Sequence, residues 1–126
     1  MRLEHANISV NDIDTSFQFY SVLFGFEKRW EGKATGEVGP VRAVHVGNEH
    51  TYLALFEAER KGRSQADYAI AGVNHIGFEV EDLAIYRQRL EELGISVHLE
   101  ADYEPGERIY FYDPDGVEIE LVEYGH

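Results

Sequence analysis

The sequence predicts an α+β fold, in which two βαβββ modules form a curved mixed sheet, a half-barrel with its helices on the outer face. Three observations predict it. The octet "LEHANISV" (3–10) returns as "VNHIGFEV" (73–80), at an offset of 70 that keeps His5 and His75 in register, and self-similarity of this kind marks a repeated architecture. Each octet alternates polar and apolar residues, the period of a half-buried strand, and runs into an acidic helix start. Three further strand-like runs follow each helix. Neither half is large enough to bury a good core alone, so the two are expected to share one.

In the first module (1–58), Asp12, Asp14 or Thr15 can cap the helix, because each side-chain oxygen can accept from an unpaired N–H. Phe17, Tyr20 and Phe24 follow at helical spacing, and Gly25 suits the left-handed position that ends a helix. The strands are then "FEKRW" (26–30), "VRAVHV" (41–46) and "TYLALFE" (51–57), with "GNEH" as the turn before the last. "EGKATGEVGP" (31–40) is glycine-rich and reads as a loop over a site. Residues 59–72 are polar and read as the linker between modules.

The second module (73–126) repeats the plan. Asp82 caps its helix, Leu83, Tyr86, Leu90 and Leu93 carry the helical spacing, and Gly94 ends it. Its strands are "ISVHLE" (95–100), "RIYFY" (108–112) and "VEIELVEY" (117–124), the last two joined by "DPDG".

Composition narrows the function. Net charge is −13, from 24 acidic against 11 basic residues, a surface that repels phosphate backbones and anionic lipid; neither nucleic acid nor membrane is expected as a partner. No apolar run approaches the roughly 20 residues of a membrane helix, Met1 leads straight into a strand pattern, and there is no cysteine. A cytoplasmic protein is expected. Its work then belongs to a local site for a small molecule.

Strand alternation places that site. His5, Asn7 and Ser9 share one face of the first strand, opposite Ala6, Ile8 and Val10; His75, Gly77 and Glu79 correspond in the second module. In the last strand Glu118 and Glu120 oppose Ile119 and Leu121. Aligning "LALFE" (53–57) with "IELVE" (119–123), an offset of 66, sets Ala54 against Glu120. Four equivalent positions are therefore expected to converge: His5, Ala54, His75 and Glu120. Two imidazoles and a carboxylate with open positions suit Fe(II) and related divalent ions, or a catalytic zinc. Tyr52, Phe56, Val44 and Tyr110 are expected to wall the cleft for an aromatic or apolar substrate. His45, His50 and His98 have no repeat partner of ligand type and are left out.

The chain resembles the vicinal oxygen chelate superfamily, which includes glyoxalase I, extradiol dioxygenases, fosfomycin-resistance enzymes and bleomycin-resistance proteins. The resemblance rests on "LEHANISVNDIDTSFQFY", "LFGF", "VNHIGFEVEDL" and above all "YFYDPDGVEIELVE". It implies one divalent ion (Fe2+, Mn2+, Zn2+ or Ni2+) on His5, His75 and Glu120, and a homodimer in which His5 of one chain can meet His75 and Glu120 of another. Glyoxalase I carries a fourth ligand, which also moves the proton, where this chain has Ala54; that activity is disfavoured. Fosfomycin thiol transferases have a tyrosine matching Tyr110, but their cationic residue beyond the last strand has no counterpart before His126, so fosfomycin is not the expected substrate. Without a base at Ala54, proton transfer falls to Tyr110 or Glu118, and Arg108, just outside the cleft, is placed to hold an anionic group.

Two functions follow. One is a metal-dependent enzyme, dioxygenase-like or of lyase or isomerase type, that binds a small molecule through two adjacent oxygens. The other is a non-catalytic protein that sequesters an antibiotic or metabolite in the same cleft.

Overall fold

The computed structural model describes residues 1–125; His126 lies outside the described residues. The chain divides between Arg63 and Ser64 into two compact units, each a four-stranded mixed sheet with one helix. The first contains β1 (His5–Val10), α1 (Ile13–Phe24), β2 (Glu27–Thr35), β3 (Pro40–Gly47) and β4 (Tyr52–Glu57); the second contains β5 (Ile76–Glu79), α2 (Leu83–Glu92), β6 (Leu99–Tyr103), β7 (Gly106–Tyr112) and β8 (Glu118–Tyr124). The α+β class and the doubled βαβββ order are as the sequence predicts.

The sheets run in order β1-β4-β3-β2 and β5-β8-β7-β6. In each, the first strand lies parallel to the last and the remaining pairs are antiparallel. The registers confirm the repeat: Asn7 faces Ala54 in the first unit, and Gly77 faces Glu120 in the second.

Helix α1 is capped by Asp12, whose side chain accepts from the Thr15 amide, and α2 by Asp82, which accepts from Ala84. Both end at a glycine in the left-handed region, Gly25 at φ 71° and Gly94 at φ 72°, where a side chain would be strained. The buried stripe of α1 is Ile13, Ser16, Phe19, Tyr20 and Leu23; of the expected Phe17, Tyr20 and Phe24, only Tyr20 is fully buried. In α2 the buried residues are Leu83 and Leu90, with Tyr86 and Leu93 at the margin. The apolar strand faces supply the rest of each core, with Val44, Val46, Leu53 and Leu55 in one unit and Ile109, Phe111, Ile119 and Leu121 in the other.

Two expectations are corrected. The segment 31–40 is not a loop: β2 continues to Thr35, pairing as far as Thr35 with Pro40. Only a tight turn remains, closed by the Gly36 amide on the Gly39 carbonyl and by Glu59, which accepts from the Glu37 and Val38 amides. Ladder hydrogen bonds outweigh the low strand propensity of glycine there. Strand β6 starts at Leu99 instead of Ile95, because pairing with β7 begins only where Leu99 meets Tyr110. Residues 59–72 divide between the units: Lys61 and Gly62 bond to Asn11 in the first, whereas Ser64 donates to the Asp115 carbonyl in the second. Among the described residues no helix is long and apolar enough to cross a membrane.

Candidate metal centre

The polar face of the second sheet is set by β8. Tyr112 pairs with Glu118, Tyr110 with Glu120 and Arg108 with Val122, and directly paired residues share a face. The alternate residues, Ile109, Phe111, Ile119 and Leu121, are fully buried on the other side. His75, one residue before β5, joins the polar face.

Its imidazole meets two carboxylates of β8, Glu118 and Glu120. His75 Nε2 lies 2.8 Å from Glu120 Oε1. On the other edge, Nδ1 is 2.9 Å from the Tyr68 hydroxyl, which donates to Glu118 Oε1. Glu118 Oε2 accepts from His98 Nε2 at 2.9 Å, and Glu120 Oε2 accepts from Arg108 Nε at 2.8 Å. Glu118 and Glu120 have side chains only 9% and 13% exposed. Two buried carboxylates are thus fully engaged, as burial of charge requires.

Arg108 does not stand outside this cluster. Its side chain is 14% exposed, its guanidinium lies 4.9 Å from the centroid of Tyr103, and its Nη1 is buried with no hydrogen-bond partner among the described residues. Tyr110 stands edge-on to His75, centroids 5.5 Å apart. Burial first, and then the charge of Glu120, pushes its phenol above the ordinary tyrosine range. The hydrogen bond to Glu118 is the main cause that pushes Tyr68 up to about 12. Both phenols stay protonated at neutral pH.

In the first unit the corresponding face carries His5, Tyr52, Ala54 and His45. His5 stacks on Tyr52 with centroids 4.6 Å apart, and its Nδ1 is 2.9 Å from Glu4 Oε1. Tyr52 also stacks on His45 at 4.6 Å, and Arg29 lies over the Tyr52 ring. His45, not Val44, takes the wall position: it pairs with Ala54, as Tyr110 pairs with Glu120, while Val44 is fully buried on the helix side. Burial, then His5 and Arg29, holds the His45 imidazole below its usual pKa. Phe56 lies level with Ser9, at the far end of β4 from Tyr52. It lines a separate hollow of about 360 Å³ with Ser9, Thr35, Val41 and Arg60.

The structure therefore brings together His75, Glu120, Glu118, Tyr110 and Arg108 of the expected site. His5, Tyr52 and Phe56 belong to the first unit. Among the described residues, no three or more His, Cys, Asp or Glu side chains form a group that could hold a metal ion.

The pair His75 and Glu120 fits a divalent ion. With Glu118 ionised, the single Tyr68 proton is committed to it, so His75 Nδ1 must donate to the Tyr68 oxygen. A neutral His75 then turns an unprotonated Nε2 toward a carboxylate oxygen 2.8 Å away. Two lone pairs at that distance repel, so the contact is held either by a proton on Nε2, as an imidazolium–carboxylate pair, or by a cation bound between the two atoms. For ligand bonds of about 2.0–2.2 Å, two donors of one ion stand about 3 Å apart.

Tyr68, His98 and His45 are the residues that sequence reasoning missed. For His45 the signal was present, since aligning β3 with β7 at an offset of 65 sets it against Tyr110. Tyr68 lies seven residues from His75, outside the aligned octets, so the repeat carries no signal for it.

Residues 2–121 match the family described as the Glyoxalase/Bleomycin resistance protein/Dioxygenase superfamily. Metallothiol transferase FosB of Staphylococcus epidermidis is 28% identical over 123 residues, covering 94% of this chain and 79% of the relative. Glutathione transferase FosA of Serratia marcescens is 32% identical over 124 residues, covering 94% and 78%. Among solved structures, a glyoxylase/bleomycin resistance protein/dioxygenase domain from Frankia sp. EAN1pec has a TM-score of 0.83 at 20% identity, covering 100% of this chain and 93% of the other. A FosX variant from Listeria monocytogenes, complexed with Mn(II) and 1S,2S-dihydroxypropylphosphonic acid, has a TM-score of 0.75 at 21% identity, covering 98% and 93%. At these identities the two structures share the fold.

Proposed function

The chain belongs to the glyoxalase/bleomycin resistance protein/dioxygenase superfamily, and from that premise we propose that it is a divalent-metal-dependent enzyme. Its substrate is a small molecule bound through two adjacent oxygens. It works as a cytoplasmic homodimer, and His5, His75 and Glu120 hold one ion. The observation that carries this reading is the 2.8 Å approach of His75 Nε2 to Glu120 Oε1, with Nδ1 already committed to Tyr68. His5 matches this arrangement in kind: its Nδ1 is engaged by Glu4, which leaves Nε2 as the ligand atom.

When bound, a divalent ion supplies Lewis acidity to the negative charge that develops on the two substrate oxygens. Around it, Tyr110, kept protonated by burial and by Glu120, donates a hydrogen bond to a substrate oxygen. Arg108 Nη1 takes an anionic part of the substrate, and Tyr52 and Phe56 contribute apolar surface. Glu118, engaged on both oxygens and largely buried, acts behind His75 instead of on substrate. The proton transfer of glyoxalase I is not proposed, since the methyl group of Ala54 can neither bind a metal nor carry a proton.

The relatives named as metallothiol and glutathione transferases support an enzyme of the fosfomycin-resistance kind over a dioxygenase, without naming the substrate. One observation favours the second reading, a metal-free binding protein: both oxygens of Glu120 are already met, by His75 and Arg108, so an imidazolium would satisfy the cluster.

Elemental analysis of the purified protein decides between them. The enzyme reading expects about one divalent ion per chain, lost in Glu120→Gln. Metal-free protein from a metal-replete culture, unchanged by that substitution, would leave the binding-protein reading standing.

A further inference from the structure

Behind His75 the second unit contains a hydrogen-bonded chain that reaches outside the repeated module. Tyr68 comes from the N-terminal stretch of the second unit, held by Ser64 on the Asp115 carbonyl at 2.7 Å and by a small turn in which the Ala69 amide donates to Asp67 Oδ1 at 2.9 Å. Its hydroxyl connects His75 Nδ1 to Glu118. Glu118 is fastened in turn by His98, whose ring lies flat on Tyr112 with centroids 4.4 Å apart. This chain lies on the polar face of the sheet, opposite the packed face of Ile109, Phe111, Ile119 and Leu121.

The proton inventory gives it a direction. An ionised carboxylate can only accept, so both Tyr68 and His98 donate to Glu118. Having spent its single proton there, the Tyr68 oxygen can only accept from His75. The Nδ1–H tautomer is thereby imposed, and the ring is aimed with Nε2 toward Glu120.

We propose that Tyr68 is a positioning residue for the metal centre: its hydroxyl, locked by Glu118, holds His75 in the tautomer and orientation that present the Nε2 lone pair to a divalent ion. The inference rests on the reading of His75 and Glu120 as ligands. It adds that a residue of the second unit outside the aligned octets, Tyr68, completes the centre. Outer partners of this kind typically govern metal affinity through the basicity and aim of the ligand.

The test uses the full chain and zinc. Tyr68→Phe and Glu118→Gln are each expected to weaken zinc binding about 10- to 100-fold in competition with a chromophoric chelator. The double variant should be little weaker than either single one, because both break the same link. Tyr68 is 60% exposed, so Tyr68→Phe should keep the wild-type melting curve. Long-range 15N–1H spectra of the metal-free protein at pH 8 supply a readout that a merely structural role would not move: His75 Nδ1 protonated in the wild type, with the proton shifted toward Nε2 in Tyr68→Phe. Unchanged zinc affinity in Tyr68→Phe, or an unprotonated Nδ1 in the wild type, overturns the proposal. Wild-type protein that binds no zinc overturns the metal reading itself, whereas the loss of the Nδ1 proton in Tyr68→Phe would still support the tautomer lock.

Discussion

Arg108 Nε donates to Glu120 Oε2 at 2.8 Å, so one guanidinium holds the far oxygen of the carboxylate whose near oxygen faces His75. The pair is short, largely buried and charge-assisted, the kind of contact that fixes a rotamer. Arg108→Gln is expected to free the Glu120 carboxylate to turn and to lower zinc affinity about 10-fold or more. Arg108→Lys should recover only part of it, since an ammonium lacks the planar fork. Chelator competition measures both. An affinity unchanged in Arg108→Gln would show that Glu120 needs no orienting partner.

His45 provides a pH test confined to the first unit. Burial, followed by the His5 and Arg29 charges, depresses its pKa below the ordinary 6.5. A histidine with a lowered folded value is neutral in the folded state while the unfolded chain still binds a proton. Its contribution to stability is therefore complete above about pH 6.5 and is lost as pH falls from there to the folded value. Urea midpoints between pH 7.5 and 5, with a chelator present, should fall more steeply for the wild type than for His45→Gln. Parallel curves would show that His45 titrates normally.

Gly47 is required by close approach. A Cβ built there would lie 2.2 Å from the Thr51 carbonyl oxygen and 2.6 Å from Tyr52 Cα, both backbone atoms that cannot yield without opening the hairpin. Gly47→Ala should cost about 1–3 kcal/mol, as overpacking does. At Gly39, where a Cβ would meet nothing within 4 Å, alanine should be neutral to within about 0.5 kcal/mol. Denaturant titration compares the two, and equal midpoints would remove the steric argument.

Much of this was legible in the chain. The doubled octets carried the βαβββ plan, Asp12 and Asp82 their caps, and "GNEH" and "DPDG" their turns, because caps, glycine ends and tight turns are local chemistry. The meeting of His75 with Glu120 was legible as well, since the two offsets of the repeat set Glu120 against Ala54 and placed both residues on the polar face. The face of β3 was not: Ala43, Val44 and Val46 are all apolar, so alternation alone could not say which side His45 takes. The extent of β2 was hidden for a different reason. Its glycines lower local strand propensity, and the hydrogen bonds that overrule them come from β3.

By itself, then, the sequence determined the fold class, the repeat and the ligand-type residues. Each follows from periodicity and chemistry read within a few residues. Tertiary structure alone decided what stands behind those side chains. Tyr68, His98 and Arg108 reach Glu118 and Glu120 from the N-terminal stretch of the second unit, from the approach to β6 and from β7, and no local pattern ties them together. Their partnership arises because a buried carboxylate must find donors wherever the folded chain brings them.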